Sequence, residues 1–142
     1  MQTDAHDALV LFYETLTPDR VKDFGLYYSQ DAYFKDPFNE VNHLADIIAV
    51  FARMFEHLAE PRFVIMERIA DSRGLVLVWH MKFRMRSWKP QQEQVIRGVS
   101  HLRLGDDGKV IYHRDYWDTG EELYATLPLI GTLVEWLRRR LG

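Results

Sequence analysis

The chain has 142 residues, of which 47% are apolar and 27% charged, with a net charge of −3 and no cysteine. This length is typical of one compact domain, so we expect a single domain over residues 1–142. The absence of cysteine excludes disulfides, thiolate metal sites and thiol nucleophiles. The mildly acidic balance argues against a nucleic acid partner. No apolar run reaches the roughly 20 residues that cross a bilayer, and we expect a cytoplasmic protein.

The first half of the chain predicts helices. Apolar residues spaced near 3.6 predict a helix over 5–16. A Thr-Pro pair predicts the start of a second helix over 17–28, because Thr caps a helix and Pro suits its first turn. A short strand is expected over 33–36, followed by a third helix that begins near residue 43.

After residue 61 the apolar period changes to two, which predicts strands over 62–71, 75–87, 95–104 and 110–118. Alternation this regular is typical of an antiparallel sheet with one packed face. The inward side chains of the last two strands are then expected to be Ile96, Gly98, Ser100, Leu102 and Leu104, and Ile111, His113, Asp115 and Trp117. The alternative inward residues of the last strand are Val110, Tyr112 and Tyr116.

This order of elements predicts an α+β fold in which three helices cover one face of a mostly antiparallel sheet. Such a sheet can curl into a cone whose mouth is an apolar pocket. A helical tail is expected over 119–141, amphipathic and basic at its end. A contact of this tail with a membrane surface is one interpretation, but we favour a helix that covers the pocket mouth or packs on a partner subunit.

Three segments carry a resemblance to a known family: Gln30–Pro37, Val99–Leu104 and Gly108–Asp118. In this order and spacing the chain resembles the SnoaL-like and ketosteroid isomerase branch of the nuclear transport factor 2-like superfamily. The resemblance covers essentially the whole chain and implies the cone-shaped sheet. It also implies a homodimer that forms through the outer face of the sheet. It does not specify the chemistry, since this fold hosts several unrelated functions.

The resemblance places Asp36 at the carboxylate that shuttles a proton in ketosteroid isomerases. An apolar pocket raises the pKa of a carboxyl group by desolvation, which suits a general base. The alternative is an Asp that caps the turn before Pro37. The resemblance also places Phe12 at the oxyanion-stabilising tyrosine, with Tyr13 one residue away, and Ser100 at the oxyanion-stabilising aspartate.

His113 and Asp115 form a second candidate site. Their Cβ atoms are about 7 Å apart on one strand face, so the two side chains can share a substrate or pair directly. Resemblance to SnoaL-like cyclases implies Asp115 as a base with His113 as its partner. The alternative is a satisfied polar pair inside the core. Epoxide hydrolases of this fold need an Arg and an Asp two residues apart on the preceding long strand, and residues 79–82 lack them.

The sequence therefore predicts a small apolar molecule bound in the pocket. The expected catalytic residues are Asp36, Asp115 and His113, and the expected substrate-binding residues are Tyr13, Phe34, Trp79, Ser100, Leu102 and Trp117. Tyr28 is expected only to shape the cavity. No cofactor is expected, and no metal, because no metal-ligand spacing is present. The predicted function is acid–base catalysis of the isomerase, cyclase or hydratase type, and the alternative is a non-catalytic ligand-binding or accessory protein.

Overall fold

The computed structural model describes residues 2–86, 90–122 and 128–141. Its elements in chain order are helix α1 (Gln2–Glu14), a 3₁₀ helix (Pro18–Leu26), strands β1 (Tyr28–Lys35) and β2 (Glu40–Val41), helix α2 (Leu44–His57), strands β3 (Leu58–Asp71), β4 (Gly74–Met85), β5 (Glu93–Leu104) and β6 (Val110–Tyr116), and helices α3 (Thr119–Glu122) and α4 (Pro128–Leu141). The fold is the α+β arrangement expected from the sequence, with a curved sheet covered by helices.

The described strands form one six-stranded sheet in the order β2-β1-β6-β5-β4-β3. The pair β1–β6 is parallel, and the other neighbouring strands are antiparallel. Strands β4 and β5 are the regular centre of the sheet, because every second residue is buried as the alternation predicted. Three cross-strand pairs bring site residues together: Phe34 with His113, Ser100 with Asp115, and Trp79 with Gly98.

The core lies between the inner face of the sheet and the helices of the first half of the chain. Helix α2 buries one stripe at helical spacing: Leu44, Ile47, Val50 and Phe51. This stripe packs toward the 3₁₀ helix and strands β1 and β3, while α1 packs against β3. These helices therefore close the inner face of the sheet.

The segment before β1 differs from the expectation. The predicted second helix is a 3₁₀ helix that ends at Leu26, and the strand begins at Tyr28 rather than at residue 33. Tyr28 already pairs with Val110, but the register then shifts before Tyr33. Residues 29–31 are polar and lie within that irregularity, and Gln30 and Asp31 are exposed. For this reason the sequence does not show the alternation of a strand here.

Strand β6 contains a bulge that the sequence does not indicate. Leu104 pairs with Val110 and Arg103 pairs with Tyr112, so Ile111 is an extra residue on β6. As a consequence Val110 is buried and Ile111 is 43% exposed. The prediction that Ile111 faces inward is wrong, because the bulge resets the alternation after it.

Strand β3 also begins earlier than predicted, at Leu58 instead of residue 62. Its register shifts between Ala59 and Arg62, and Glu60 has a φ of 52°. Proline is tolerated in a sheet at bulges and on edge strands. Both conditions hold here, because Pro61 lies in this irregularity and β3 is at the edge of the sheet.

The tail is helical where it is described, over 119–122 and 128–141. Residues 123–127 of the predicted tail, and residue 87 of the strand predicted over 75–87, lie outside the described residues. Leu133, Trp136 and Leu141 are exposed on α4. No helix within the described ranges is long and apolar enough to span a membrane. Both interpretations of the tail stay predictions.

Candidate active site

A cavity of about 380 Å³ lies between α2 and the inner face of the sheet. Its wall is mainly aromatic and thioether side chains, among them Phe34, Phe51, Phe63, Trp79, Met81 and Trp117. The polar residues that line it are Asp36, Asn39, Arg53, His57 and Asp115. A concave apolar wall with a few convergent polar groups is the usual form of a small-molecule site.

A second, much smaller space adjoins this cavity, and we call it the inner hollow. It has a volume of about 20 Å³, and its polar lining residues are Tyr13, Ser100, His113 and Asp115. It shares Phe51, Phe63, Trp79 and Asp115 with the cavity, so the two spaces are neighbours. A space of this size holds one water molecule or one small polar group.

Asp115 lines both spaces. Its Oδ1 atom accepts hydrogen bonds from Ser100 Oγ at 2.5 Å and from His113 Nε2 at 2.6 Å. Its Oδ2 atom has no hydrogen-bond partner among the described residues, and its side chain is 15% exposed. Asp115 therefore presents one anchored and one available carboxylate oxygen.

His113 connects Asp115 to two tyrosines. The ring is 3% exposed, and its Nδ1 atom lies 2.6 Å from the Tyr28 hydroxyl oxygen. The Tyr28 oxygen lies 2.5 Å from the hydroxyl oxygen of Tyr13. Burial raises the pKa of both phenols well above the ordinary value, so both remain protonated hydroxyls.

Trp79 is the last residue of the hydrogen-bond chain on the Ser100 side of Asp115. Its indole Nε1–H donates to Ser100 Oγ at 2.8 Å. The indole fits because Gly98 stands opposite, where an added Cβ would lie 2.4 Å from Trp79 Cη2. Six side chains thus form one hydrogen-bond network: Tyr13, Tyr28, His113, Asp115, Ser100 and Trp79.

Asp36 lies at the end of β1 and lines the cavity, but it also holds a turn. Its Oδ1 accepts from the backbone N–H groups of Phe38 at 2.8 Å and Asn39 at 2.7 Å. Burial raises the pKa of Asp36, these hydrogen bonds oppose the rise, and the nearby Asp115 charge adds to it. Asp36 therefore both caps the turn, as in the alternative interpretation, and lines the cavity.

The structure brings most of the predicted site residues together. Tyr13, Ser100, His113 and Asp115 meet at the inner hollow, whereas Phe34, Asp36, Trp79, Asp115 and Trp117 line the cavity. Leu102 is not brought to either space, because it is fully buried in the core.

The structure also shows which of the two neighbours, Tyr13 or Phe12, lies at the site. The Phe12 ring packs against Phe24 and Tyr27, away from the inner hollow, so Tyr13 is the residue at the site. Sequence reasoning missed the place of Tyr28 in the hydrogen-bond network, and no local pattern shows it. Among the described residues, no group of three His, Asp or Glu side chains is arranged to hold a metal ion.

Comparison with known proteins agrees with this fold. Residues 9–113 match the SnoaL-like domain family, and the chain belongs to this family. No protein of curated function matches the sequence significantly.

Solved structures show the same nuclear transport factor 2-like fold at low sequence identity. An LEH-like epoxide hydrolase from M. tuberculosis is 15% identical with a TM-score of 0.70, covering 96% of this chain and 97% of its own. A candidate SnoaL-like polyketide cyclase from Jannaschia sp. CCS1 is 16% identical with a TM-score of 0.69, covering 82% and 86%. A protein of ketosteroid isomerase-like fold from Catenulispora acidiphila, in complex with trimethylamine, is 12% identical with a TM-score of 0.70, covering 84% and 88%. At these identities the likeness concerns the fold alone.

Proposed function

We propose that this protein carries out cofactor-independent acid–base catalysis on a small, largely apolar molecule, with Asp115 as the general base. The observation that carries the proposal is the position of Asp115. It is the carboxylate that lines both the apolar cavity and the inner hollow, and its Oδ2 atom has no partner among the described residues. A base must reach the proton that it abstracts, and this oxygen is available to do so.

Asp36 is the weaker candidate for the base. Its Oδ1 atom already accepts two backbone hydrogen bonds and one from the Asn39 side chain at 3.1 Å. Asn39 Nδ2 also approaches Oδ2 at 3.2 Å. Both carboxylate oxygens of Asp36 are therefore held within the turn, whereas Oδ2 of Asp115 has no partner among the described residues. In the proposal Asp36 shapes the cavity, and Asp115 moves the proton.

His113 supports the base by orientation. A neutral imidazole can donate through one ring nitrogen while the other accepts. At His113 the two nitrogens contact Asp115 and Tyr28, so the ring is held on both sides. The Ser100 hydroxyl holds the same carboxylate oxygen from another direction. A base fixed in this way needs little reorganisation when the substrate arrives.

The residues of strand β4 argue against one type of reaction, epoxide hydrolysis. Its buried inner positions include Leu77, Trp79 and Met81, all apolar. The Arg and Asp that the resemblance requires for epoxide hydrolysis are therefore missing from this wall. Isomerase, cyclase or hydratase chemistry agrees better with one available carboxylate in an apolar cavity.

The test compares Asp115→Asn with Asp36→Asn on a substrate found by screening cyclic enones, hydroxy ketones and epoxides. We expect Asp115→Asn to lower kcat by at least about 100-fold, because positioned acid–base groups contribute that much or more. Asp36→Asn should stay within a few-fold, because an amide oxygen keeps the turn hydrogen bonds. Chemical denaturation of both variants checks their folding. A large loss in Asp36→Asn alone would transfer the base role to Asp36.

The second candidate is a non-catalytic ligand-binding protein that uses the same cavity. The resemblance places Ser100 at one oxyanion-stabilising position, and Tyr13 is one residue from the other. One observation favours this candidate: the hydroxyls of Tyr13 and Ser100 are both hydrogen-bonded inside the protein. Loss of one oxyanion donor costs about 100- to 1000-fold in rate. Saturable binding of a compound that mass spectrometry recovers unchanged after long incubation would support this candidate, whereas turnover would exclude it.

A further inference from the structure

The direction of each hydrogen bond in the network can be assigned, beginning at Trp79. An indole N–H can only donate, so Ser100 Oγ is the acceptor of the bond at 2.8 Å. A serine hydroxyl has a single proton. At 2.5 Å from the Asp115 carboxylate oxygen, which accepts, that proton belongs to the bond between Ser100 and Asp115. The Ser100 hydroxyl proton is therefore engaged.

The tyrosine side of the network is assigned by the same rule. With Asp115 as a carboxylate, His113 Nε2 must carry a proton and donate it to Oδ1. In the neutral ring Nδ1 then has no proton and accepts from the Tyr28 hydroxyl. Since Tyr28 donates to His113, its oxygen accepts the proton of Tyr13.

These directions share one consequence: every hydroxyl proton of the network points through the protein toward Asp115. The polar residues that line the inner hollow are Tyr13, Ser100, His113 and Asp115, and the protons that they carry are all engaged within the network. The Oδ2 atom of Asp115 meanwhile lacks a partner within the described part of the chain. The polar wall of the hollow offers hydrogen-bond acceptors.

We propose that the inner hollow receives a hydroxyl group of the ligand, so that the protein takes apolar alcohols in preference to the corresponding ketones. The hollow of about 20 Å³ has room for one hydroxyl group, and the apolar body then lies in the 380 Å³ cavity. The hydroxyl donates to Asp115 Oδ2. This inference rests on the proposed function in placing the ligand beside Asp115, but it concerns binding and does not require turnover.

A ketone is disfavoured by the same geometry. Its oxygen can only accept, and in the hollow it would face acceptors and lose the hydrogen bonds that it makes with water. Sites built to hydrogen-bond a hydroxyl discriminate strongly against analogues that cannot pair with them. An oxyanion-stabilising site would have the opposite preference, because Tyr13 would there donate to the carbonyl oxygen of a ketone.

The first experiment compares 1-indanol with 1-indanone on the wild-type protein by isothermal titration calorimetry. The measurements are made at pH 8, above the range in which imidazole side chains ordinarily titrate. We expect the alcohol to bind at least about tenfold more tightly, which corresponds to one net hydrogen bond. Equal binding, as when a water molecule fills the hollow under either compound, or tighter binding of the ketone would overturn the proposal.

The second experiment uses Tyr28→Phe. This change removes the acceptor of the Tyr13 proton, so that Tyr13 can donate into the hollow. We expect the affinity for 1-indanone to rise about tenfold and the preference for the alcohol to shrink accordingly. The control is Tyr27→Phe, because the Tyr27 hydroxyl makes no hydrogen bond within the described residues and its ring stacks on Phe12. A preference that Tyr28→Phe leaves unchanged would contradict the assigned directions.

Nitrogen-15 NMR of His113 gives a readout that a merely structural role of Tyr28 would not move. In the wild type at pH 8 we expect the ring to be protonated at Nε2 and unprotonated at Nδ1. A proton found at Nδ1 would mean that the hydrogen bonds of Tyr28 and Tyr13 run in the opposite direction, which would overturn the proposal. The alcohol preference and the proposed function can fail separately. A protein that prefers alcohols but shows no turnover would support this inference and would exclude only the proposed catalysis.

Discussion

At the scale of single residues, Gly98 and Trp79 show how packing determines the chemistry of the site. They are paired on adjacent strands, and the indole ring occupies the space that any larger residue at 98 would fill. The same indole donates to Ser100, which in turn holds Asp115. A methyl group at position 98 therefore acts on the carboxylate through two intermediate side chains.

We predict that Gly98→Ala lowers the free energy of unfolding by about 1–3 kcal/mol, the usual range for an overpacked interior. Urea denaturation measures this change. Gly25→Ala is the matched control, because its added Cβ would lie 3.3 Å from the end of the Leu44 side chain, which can move. A Gly98→Ala variant as stable as the control would contradict the close contact with Trp79.

Asp36 provides a prediction about pH. Burial raises its pKa in the folded state above the unfolded value of about 4. The folded protein therefore binds more protons than the unfolded chain in the window above pH 4, and the contribution of Asp36 to stability falls as pH rises through this window. Asp36→Asn lacks this contribution but keeps an oxygen for the turn.

The expected result is that the free energy of unfolding of Asp36→Asn, relative to wild type, increases between pH 4 and pH 7. Urea denaturation at several pH values measures the difference. Asp31→Asn serves as a comparison, since Asp31 is an exposed carboxylate on the same strand. A difference between Asp36→Asn and wild type that does not vary with pH would show that burial leaves the pKa of Asp36 where it was.

At the scale of elements, the 3₁₀ helix and the bulge in β6 determine which side chains join the hydrogen-bond network. The 3₁₀ helix ends two residues before Tyr28, and the bulge at Ile111 returns His113 and Asp115 to the inner face. Neither feature has a repeating pattern. The regular strands β4 and β5, by contrast, could be predicted with their inward residues.

The start of the 3₁₀ helix provides a prediction about capping. The Thr17 side chain accepts from the backbone N–H of Arg20 at 3.3 Å. Thr17→Ala should lower the free energy of unfolding by about 1 kcal/mol, as loss of an N-cap does, whereas Thr17→Ser should keep most of the stability. Chemical denaturation of the two variants separates the hydroxyl from the rest of the side chain. Equal losses in both would assign the effect to the methyl group instead.

At the scale of the whole molecule, the outer face of the sheet lies opposite the helices of the first half of the chain, and α3 contacts it at Arg97 through Glu122. Val78 and Val99 lie opposite each other at its centre, and Tyr116 is exposed near its end. The homodimer expected from the resemblance would use this face, because pairing would bury these apolar side chains.

We predict that Val78→Arg converts a dimer to a monomer in sedimentation equilibrium, because two copies of the new charge would meet near the two-fold axis. Leu26→Arg is the control, since Leu26 is an exposed apolar residue of the 3₁₀ helix. A Val78→Arg protein that remains dimeric would place the interface elsewhere, and a monomeric wild type would remove the expected homodimer.

The sequence by itself determined the α+β class, the inner faces of β4 and β5, and the chemical character of the site: a few titratable groups in an apolar wall. These features are readable because helix and strand periods are local. Only the tertiary structure decided that Tyr13 rather than Phe12 is at the site, that Leu102 is not, and that Tyr28 contacts a histidine 85 residues later in the chain. Hydrogen bonds between distant segments depend on register shifts, a bulge and the space beside one glycine, and none of these leaves a periodic trace in the sequence.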